Sequence, residues 1–152
     1  MRNKTFLFIL AAILTATVLL AGADPWTDAD LLSPAQFGPT VSVKGPKPPV
    51  YYVGFNVLYR SKHIPGAVYA GPGAKPEGIE LFKRELRDVS RDKEIVIYCG
   101  CCPIDQCPNL RPAFRVAREM GFKKVKVLML PTSFGVDWVE KGYPAESAAA
   151  GQ

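Results

Sequence analysis

Apolar and polar positions along this chain fall into blocks whose spacing changes several times, and each change predicts an element. An uncharged apolar run from Thr5 to Leu20 follows Arg2 and Lys4 and ends in Ala21-Gly22-Ala23. That layout predicts a signal peptide over 1–23, cut after Ala23. A membrane anchor is the alternative, but the run is short and closes on small residues instead of a flanking charge. From Asp24 to Pro49 the chain is rich in Pro, Gly and Asp and predicts a single short helix, where Ser33 caps and Pro34 fits the first turn. The runs "PVYYVGF" (49–55) and "GAVYA" (66–70), β-branched and aromatic between turn residues, predict strands. In "KPEGIELFKRELRDV" (75–89), Ile79, Phe82, Leu86 and Val89 recur at helical spacing. "EIVIYC" (94–99) is almost wholly apolar, as a strand buried on both faces must be. Beyond it, Asn109 is the predicted cap of a helix that gathers Leu110, Ala113, Phe114 and Ala117 on one side and closes at Gly121. "KVKVLML" (124–130) predicts a strand, "GVDWVEKG" (135–142) a short helix, and 147–152 a disordered tail.

Strands alternating with helices imply an α/β fold, a mostly parallel central sheet with helices on both faces, in which ligands bind at the carboxyl ends of the strands. Removing 1–23 leaves about 129 residues, enough for one domain core and too few for two. The expected division is a lead-in over 24–30 and a domain over 31–146. The formal charge of +5 drops to +3 without Arg2 and Lys4, and no Lys/Arg stripe accompanies it. Lys123, Lys124 and Lys126 are the densest basic group and read as a solvated turn, so no nucleic-acid partner is expected. No membrane contact is expected of the chain once 1–23 is gone.

All four cysteines, Cys99, Cys101, Cys102 and Cys107, lie within "CGCCPIDQC". Cys99 closes the apolar strand, at the end of the sheet where chemistry is expected. Backbone N–H groups of the turn and the positive end of the helix near Asn109 would favour its thiolate. Pro103, Pro108 and Pro112 fix φ around the loop and make it rigid. Export favours disulfides, but a bridge between the neighbours Cys101 and Cys102 would span Cα atoms ~3.8 Å apart, below the usual minimum of ~4.4 Å. A Cys102–Cys107 or Cys101–Cys107 staple remains open, as does a Cys99/Cys102 dithiol, with Cys102 or Cys107 as the candidate resolving thiol. Four thiolates can also bind zinc or copper, but structural zinc sites draw ligand pairs from separate segments. No metal and no cofactor are assigned. His63, the sole histidine, reads as a turn residue, and Tyr52, Tyr59, Tyr98 and Trp138 as packing.

The order "YRSKHIPGAVYA", "EIVIYC", "REMGFKKVKVL" and "DWVEKGYP" resembles the rhodanese-like domain family over residues 31–146. The resemblance implies that family's fold and sulfurtransferase chemistry. Cys99 matches the catalytic cysteine, which would take a sulfur from a small anionic donor such as thiosulfate, hold it as a persulfide, and pass it to a thiol or cyanide acceptor. It also implies a loop whose backbone at Gly100, Cys101 and Cys102 cradles the donor. The family's arginine, five residues after the cysteine, is replaced by Ile104, and the loop is longer. Arg111 takes its place as the expected anion contact if the loop folds back. The family's Asp-x-Arg would fall at Tyr52 to Gly54, where neither charge is present. No cysteine has an arginine six residues on, which argues against the phosphatase-like branch of the fold. Two other readings stay open: a non-catalytic exported binding module with a stapled loop, and a thiol-disulfide or metal-handling protein.

Overall fold

A computed structural model describes residues 24–148. The signal peptide expected over 1–23 lies outside the described residues. Five strands and four helices follow one another: β1 (Leu31–Leu32), α1 (Pro34–Ser42), β2 (Val50–Tyr52), α2 (Asn56–Ser61), β3 (Val68–Tyr69), α3 (Pro76–Leu86), β4 (Ile95–Tyr98), α4 (Leu110–Glu119) and β5 (Val125–Leu128). A π-helical turn spans Gly135–Val139, and 3-10 turns span Asp28–Asp30 and Ile104–Gln106.

The strands form one sheet in the order β1-β5-β4-β2-β3, parallel at every pairing. β4 is central and its four residues are all buried, which is why its sequence shows no polar alternation. Ile95 and Ile97 face a core with Phe82 and Leu86 of α3 and Ala113, Phe114 and Ala117 of α4. Val96 and Tyr98 face the opposite core, with Phe37 and Val41 of α1, Ile64 and Trp138. Each such side chain removed from water contributes about 1.5–3 kcal/mol, so the strand that packs on both faces organises the domain.

The chain leaves β4 for α4 on one face, and leaves β2 through α2, whose Tyr59 packs on the other. Neighbouring strands that discharge to opposite faces open a crevice between their carboxyl ends. Tyr52 pairs with Tyr98 at that edge, and the Val53 N–H still donates to the Tyr98 carbonyl at 2.9 Å.

Several boundaries differ from the sequence reading. The strand expected over 49–55 stops at Tyr52, and Phe55 instead stands at the N-cap of α2. Six residues are too few to show a period, and Val57 and Leu58 of α2 are exposed, so its sequence carries no buried stripe. The 24–30 lead-in joins the core, because Trp26 is buried edge-on against Phe114 at 5.7 Å. The first two residues of the expected tail are likewise tied down: Ser147 Oγ donates to the Ser61 carbonyl at 2.8 Å, and the Ala148 N–H to Arg60 at 3.1 Å. Ser33 caps α1 as expected, accepting the Gln36 N–H.

Candidate active site at the end of the central strand

Cys99 follows β4 directly and is 1% exposed, yet it lines a cavity of about 250 Å³ at the crevice between β4 and β2. Tyr52, Leu58, Ser61, Lys62, Gly100 and Phe134 supply most of the remaining wall. Gly54 permits this approach. A Cβ on it would lie 2.8 Å from the Cys99 sulfur and 2.7 Å from the Tyr52 hydroxyl. That hydroxyl is buried without a hydrogen-bond partner, the sole such side-chain oxygen or nitrogen among the described residues. An unpartnered buried hydroxyl costs about 1–3 kcal/mol, and here it sits on the wall of the cavity beside Cys99. Burial also holds its proton well above the usual tyrosine range.

Gly100 has φ +80°, and a Cβ there would lie 2.5 Å from Phe134 Cβ. Only glycine serves, and the turn it makes brings Cys101 back onto Cys99, with the two sulfurs 3.3 Å apart. Cys101 and Cys102 sulfurs are 3.2 Å apart. Buried Cys107 completes a triangle in which the sulfurs of Cys99, Cys101 and Cys107 all lie within 4.8 Å of one another. Crowding argues against four ligands from nine residues, but three sulfurs do converge here. They are near enough to share a soft ion, and near enough to exchange disulfides.

The proton distribution within this triangle differs from the expectation of a Cys99 thiolate. The Cys99 thiol donates to Cys101, and that bond, together with Cys107 and burial, pushes Cys99 far up. The same hydrogen bond draws Cys101 down to about 5. Cys107 is lowered by Cys99 first, then by the backbone N–H groups of Asn109 and Leu110, so the positive end of α4 serves Cys107. Burial leads the causes that raise Cys102 to about 12. The resting charge therefore sits on Cys101, next to a protonated Cys99.

Asn109 stands at the N-cap position of α4 but its side chain does not cap the helix. Its Oδ1 accepts the Ala74 N–H at 3.0 Å, and its Nδ2 donates to Cys99 at 3.4 Å, with Cys101 at 4.0 Å. Fully buried, it fixes both sulfurs. A cap signal in the sequence conceals this role.

Of the residues expected to bind the donor, Gly100 lines the cavity with Cys99; Cys101, Cys102 and Arg111 do not. Arg111 turns away to Asp24 at 2.6 Å, donates to the Asp105 carbonyl at 2.9 Å, and lies 5.6 Å over the Trp26 ring. The long loop does fold back, but Arg111 holds it from outside. The cation on the cavity wall is Lys62, which nothing in the sequence distinguishes from other solvated lysines. The four cysteines are free, so neither expected staple is formed. His63 is structural, as expected: Nδ1 bonds the Tyr59 carbonyl at 2.8 Å and Nε2 lies 3.3 Å from Glu146.

Comparison with known proteins agrees with this geometry. Among solved structures, the Alr3790 protein from Anabaena sp. is 19% identical, covering 78% of this chain and 94% of its own, with a TM-score of 0.58. The BH2092 protein from Bacillus halodurans is 19% identical, covering 95% and 85%, with a TM-score of 0.59. A single domain sulfurtransferase from Saccharomyces cerevisiae, RDL2, is 18% identical, covering 74% and 90%, with a TM-score of 0.55. At these identities the likeness is one of fold. No curated protein matches the chain in sequence. The rhodanese-like domain model matches residues 47–130, more than half of the chain and the whole span from β2 through β5, and the protein belongs to the rhodanese-like domain family.

Proposed function

We propose that this protein is a sulfurtransferase that takes the outer sulfur of a small anionic donor such as thiosulfate onto Cys99 and delivers it to a thiol acceptor. The observation that carries the reading is the Cys99 sulfur on the wall of a crevice cavity that also holds an unpartnered Tyr52 hydroxyl and a lysine. An oxyanion in that cavity satisfies the Tyr52 hydroxyl and is drawn in by Lys62.

Cys99 attacks the outer sulfur, the sulfur–sulfur bond of the donor breaks, and sulfite leaves with the bonding pair. The Cys99 proton passes to Cys101, which already accepts it in a hydrogen bond. Asn109 holds both groups in line. Export through residues 1–23 is part of the same reading and places the reaction outside the cytosol.

Cys99→Ser is expected to abolish the equivalent of sulfite that wild type releases from thiosulfate on loading. Tyr52→Phe, which loses only the hydroxyl, is expected to raise KM for thiosulfate about 3–10-fold, the worth of one neutral hydrogen bond, without lowering thermal stability. A Cys99→Ser protein that still gains the sulfur would transfer the nucleophile's role to Cys101. The non-catalytic module would be the correct reading if wild type released no sulfite from thiosulfate.

A further inference from the structure

A persulfide on Cys99 would not stand alone in this site. The turn at Gly100 sets the Cys101 sulfur 3.3 Å from the Cys99 sulfur, and Asn109 Nδ2 steadies both. Cys101 does not line the cavity, whereas Cys99 does. An added sulfur on Cys99 has the cavity to occupy, while the Cys101 sulfur, outside the cavity lining, stands 3.3 Å from the Cys99 sulfur. Displacement at a sulfur proceeds by thiolate attack opposite the leaving sulfur, and Cys101 is the thiol near enough to make it.

From this geometry we propose that Cys101 is a resolving thiol, so that the protein releases the transferred sulfur as hydrosulfide and is left with a Cys99–Cys101 disulfide. The inference rests on the sulfurtransferase reading and sets its outcome: the final acceptor of oxidising equivalents is a dithiol reductant, and the sulfur leaves as hydrosulfide instead of on a carrier thiol. The step balances. Cys101 returns the proton it took from Cys99 to the outer sulfur and, as the thiolate, forms a bond to the Cys99 sulfur. The bond from Cys99 to the outer sulfur breaks, and that sulfur departs with the electron pair as hydrosulfide. Two cysteine sulfurs lose one electron each and the sulfane sulfur gains two. One thiol, one thiolate and thiosulfate give a disulfide, sulfite and hydrosulfide. An external dithiol, the reductant class that opens disulfides by exchange, then restores both thiols.

The position within the triangle favours Cys101 over its neighbours. Cys107 is 1% exposed and fixed just ahead of α4, whereas Cys101 is partly exposed and lies on the turn that can close the remaining distance to a disulfide bond. Cys102 lies beyond 4.8 Å from at least one member of the triangle and holds its proton.

The test is a single turnover on reduced, metal-free, full-length protein with thiosulfate and no added thiol, read by sulfide assay, intact mass and disulfide mapping. Wild type is expected to release about one equivalent of hydrosulfide and to end two hydrogens lighter, with Cys99 joined to Cys101. Cys101→Ser and Cys101→Ala, which also lose the group that takes the Cys99 proton, are expected to load the sulfur more slowly. Once loaded by prolonged incubation they are expected to keep it, removable by cyanide, and to release hydrosulfide at least ~10-fold more slowly than wild type. Melting curves of both variants report whether they fold. Wild type that retains the sulfur and releases no sulfide would overturn the proposal and leave the sulfurtransferase reading intact. A disulfide mapped from Cys99 to Cys107 would overturn the assignment to Cys101. Wild type that neither gains sulfur nor yields sulfide would remove the sulfurtransferase reading and this inference together.

Discussion

The charge in the cysteine loop rests on Cys101 because a hydrogen bond from a buried thiol stabilises an anion more than the anion's own partial burial opposes it. A free thiol gains reactivity as pH climbs toward 9, whereas Cys101, held at about 5, is a thiolate through the neutral range. Its alkylation by iodoacetamide is therefore expected to rise with pH through about 5 and to be flat from pH 6 to 8. Cys102, raised to about 12, is expected to stay slow over the same range. Peptide mapping of the modified chain at each pH separates the two. A Cys101 rate that kept rising toward pH 9 would show that Cys99 does not donate to it. The same reasoning explains why Cys99, the residue the sequence singles out, is the least acidic of the four at rest. In the proposed reaction it becomes a nucleophile as its proton moves across 3.3 Å to Cys101, so the two residues would act as one reactive unit.

The unit depends on how three elements meet. β4 delivers Cys99, the Gly100 turn returns Cys101, and the first turn of α4 fixes Cys107 and Asn109. Arg111, one residue into α4, ties the loop to the lead-in by binding the carbonyls of Asp105 and Cys107 and the carboxylate of Asp24. It does so at partial exposure, where an ion pair is worth at most about 1 kcal/mol. Stacking on Trp26 and two carbonyl bonds add to it. Arg111→Ala is therefore expected to lower stability by about 1–2 kcal/mol in urea unfolding and to leave KM for thiosulfate within ~2-fold of wild type. A large KM increase at unchanged stability would return Arg111 to the anion site. Lys62, which follows α2, and Tyr52 of β2 line the cavity beside Cys99 instead.

At the scale of the whole molecule, both ends of the described chain brace the same crevice. Trp26 packs on α4 beneath the cysteine loop, while Glu146, Ser147 and Ala148 bind the segment from Arg60 to Gly66 that carries Lys62. The mature chain expected after Ala23 begins at Asp24, which pairs with Arg111. Intact mass of protein taken from its own compartment is expected to match a chain starting at Asp24. Recovery of the full-length chain in the membrane fraction would replace export with anchoring. Among the described residues, no helix is long and apolar enough to cross a membrane.

By itself the sequence determined the layered α/β fold, the central strand and the position of Cys99, because each is written in contiguous residues. Unbroken apolar character at 95–98 requires burial on both faces, and Ile79, Phe82 and Leu86 mark a helix by spacing alone. It also made His63 a turn residue and Ser33 a cap, both local matters. Only the tertiary structure decided what surrounds Cys99. Asn109 looks like a cap and acts on a thiol ten residues back. Arg111 has the charge for an anion site and faces away from it. Tyr52 reads as one more buried aromatic of a strand, yet among the described residues its hydroxyl is the sole buried side-chain oxygen or nitrogen without a partner. In each case the deciding quantity is a direction in space between residues distant in sequence. Composition and period fix which residues are buried, but the crossing of β2, β4 and α4 fixes which buried polar atoms face one another.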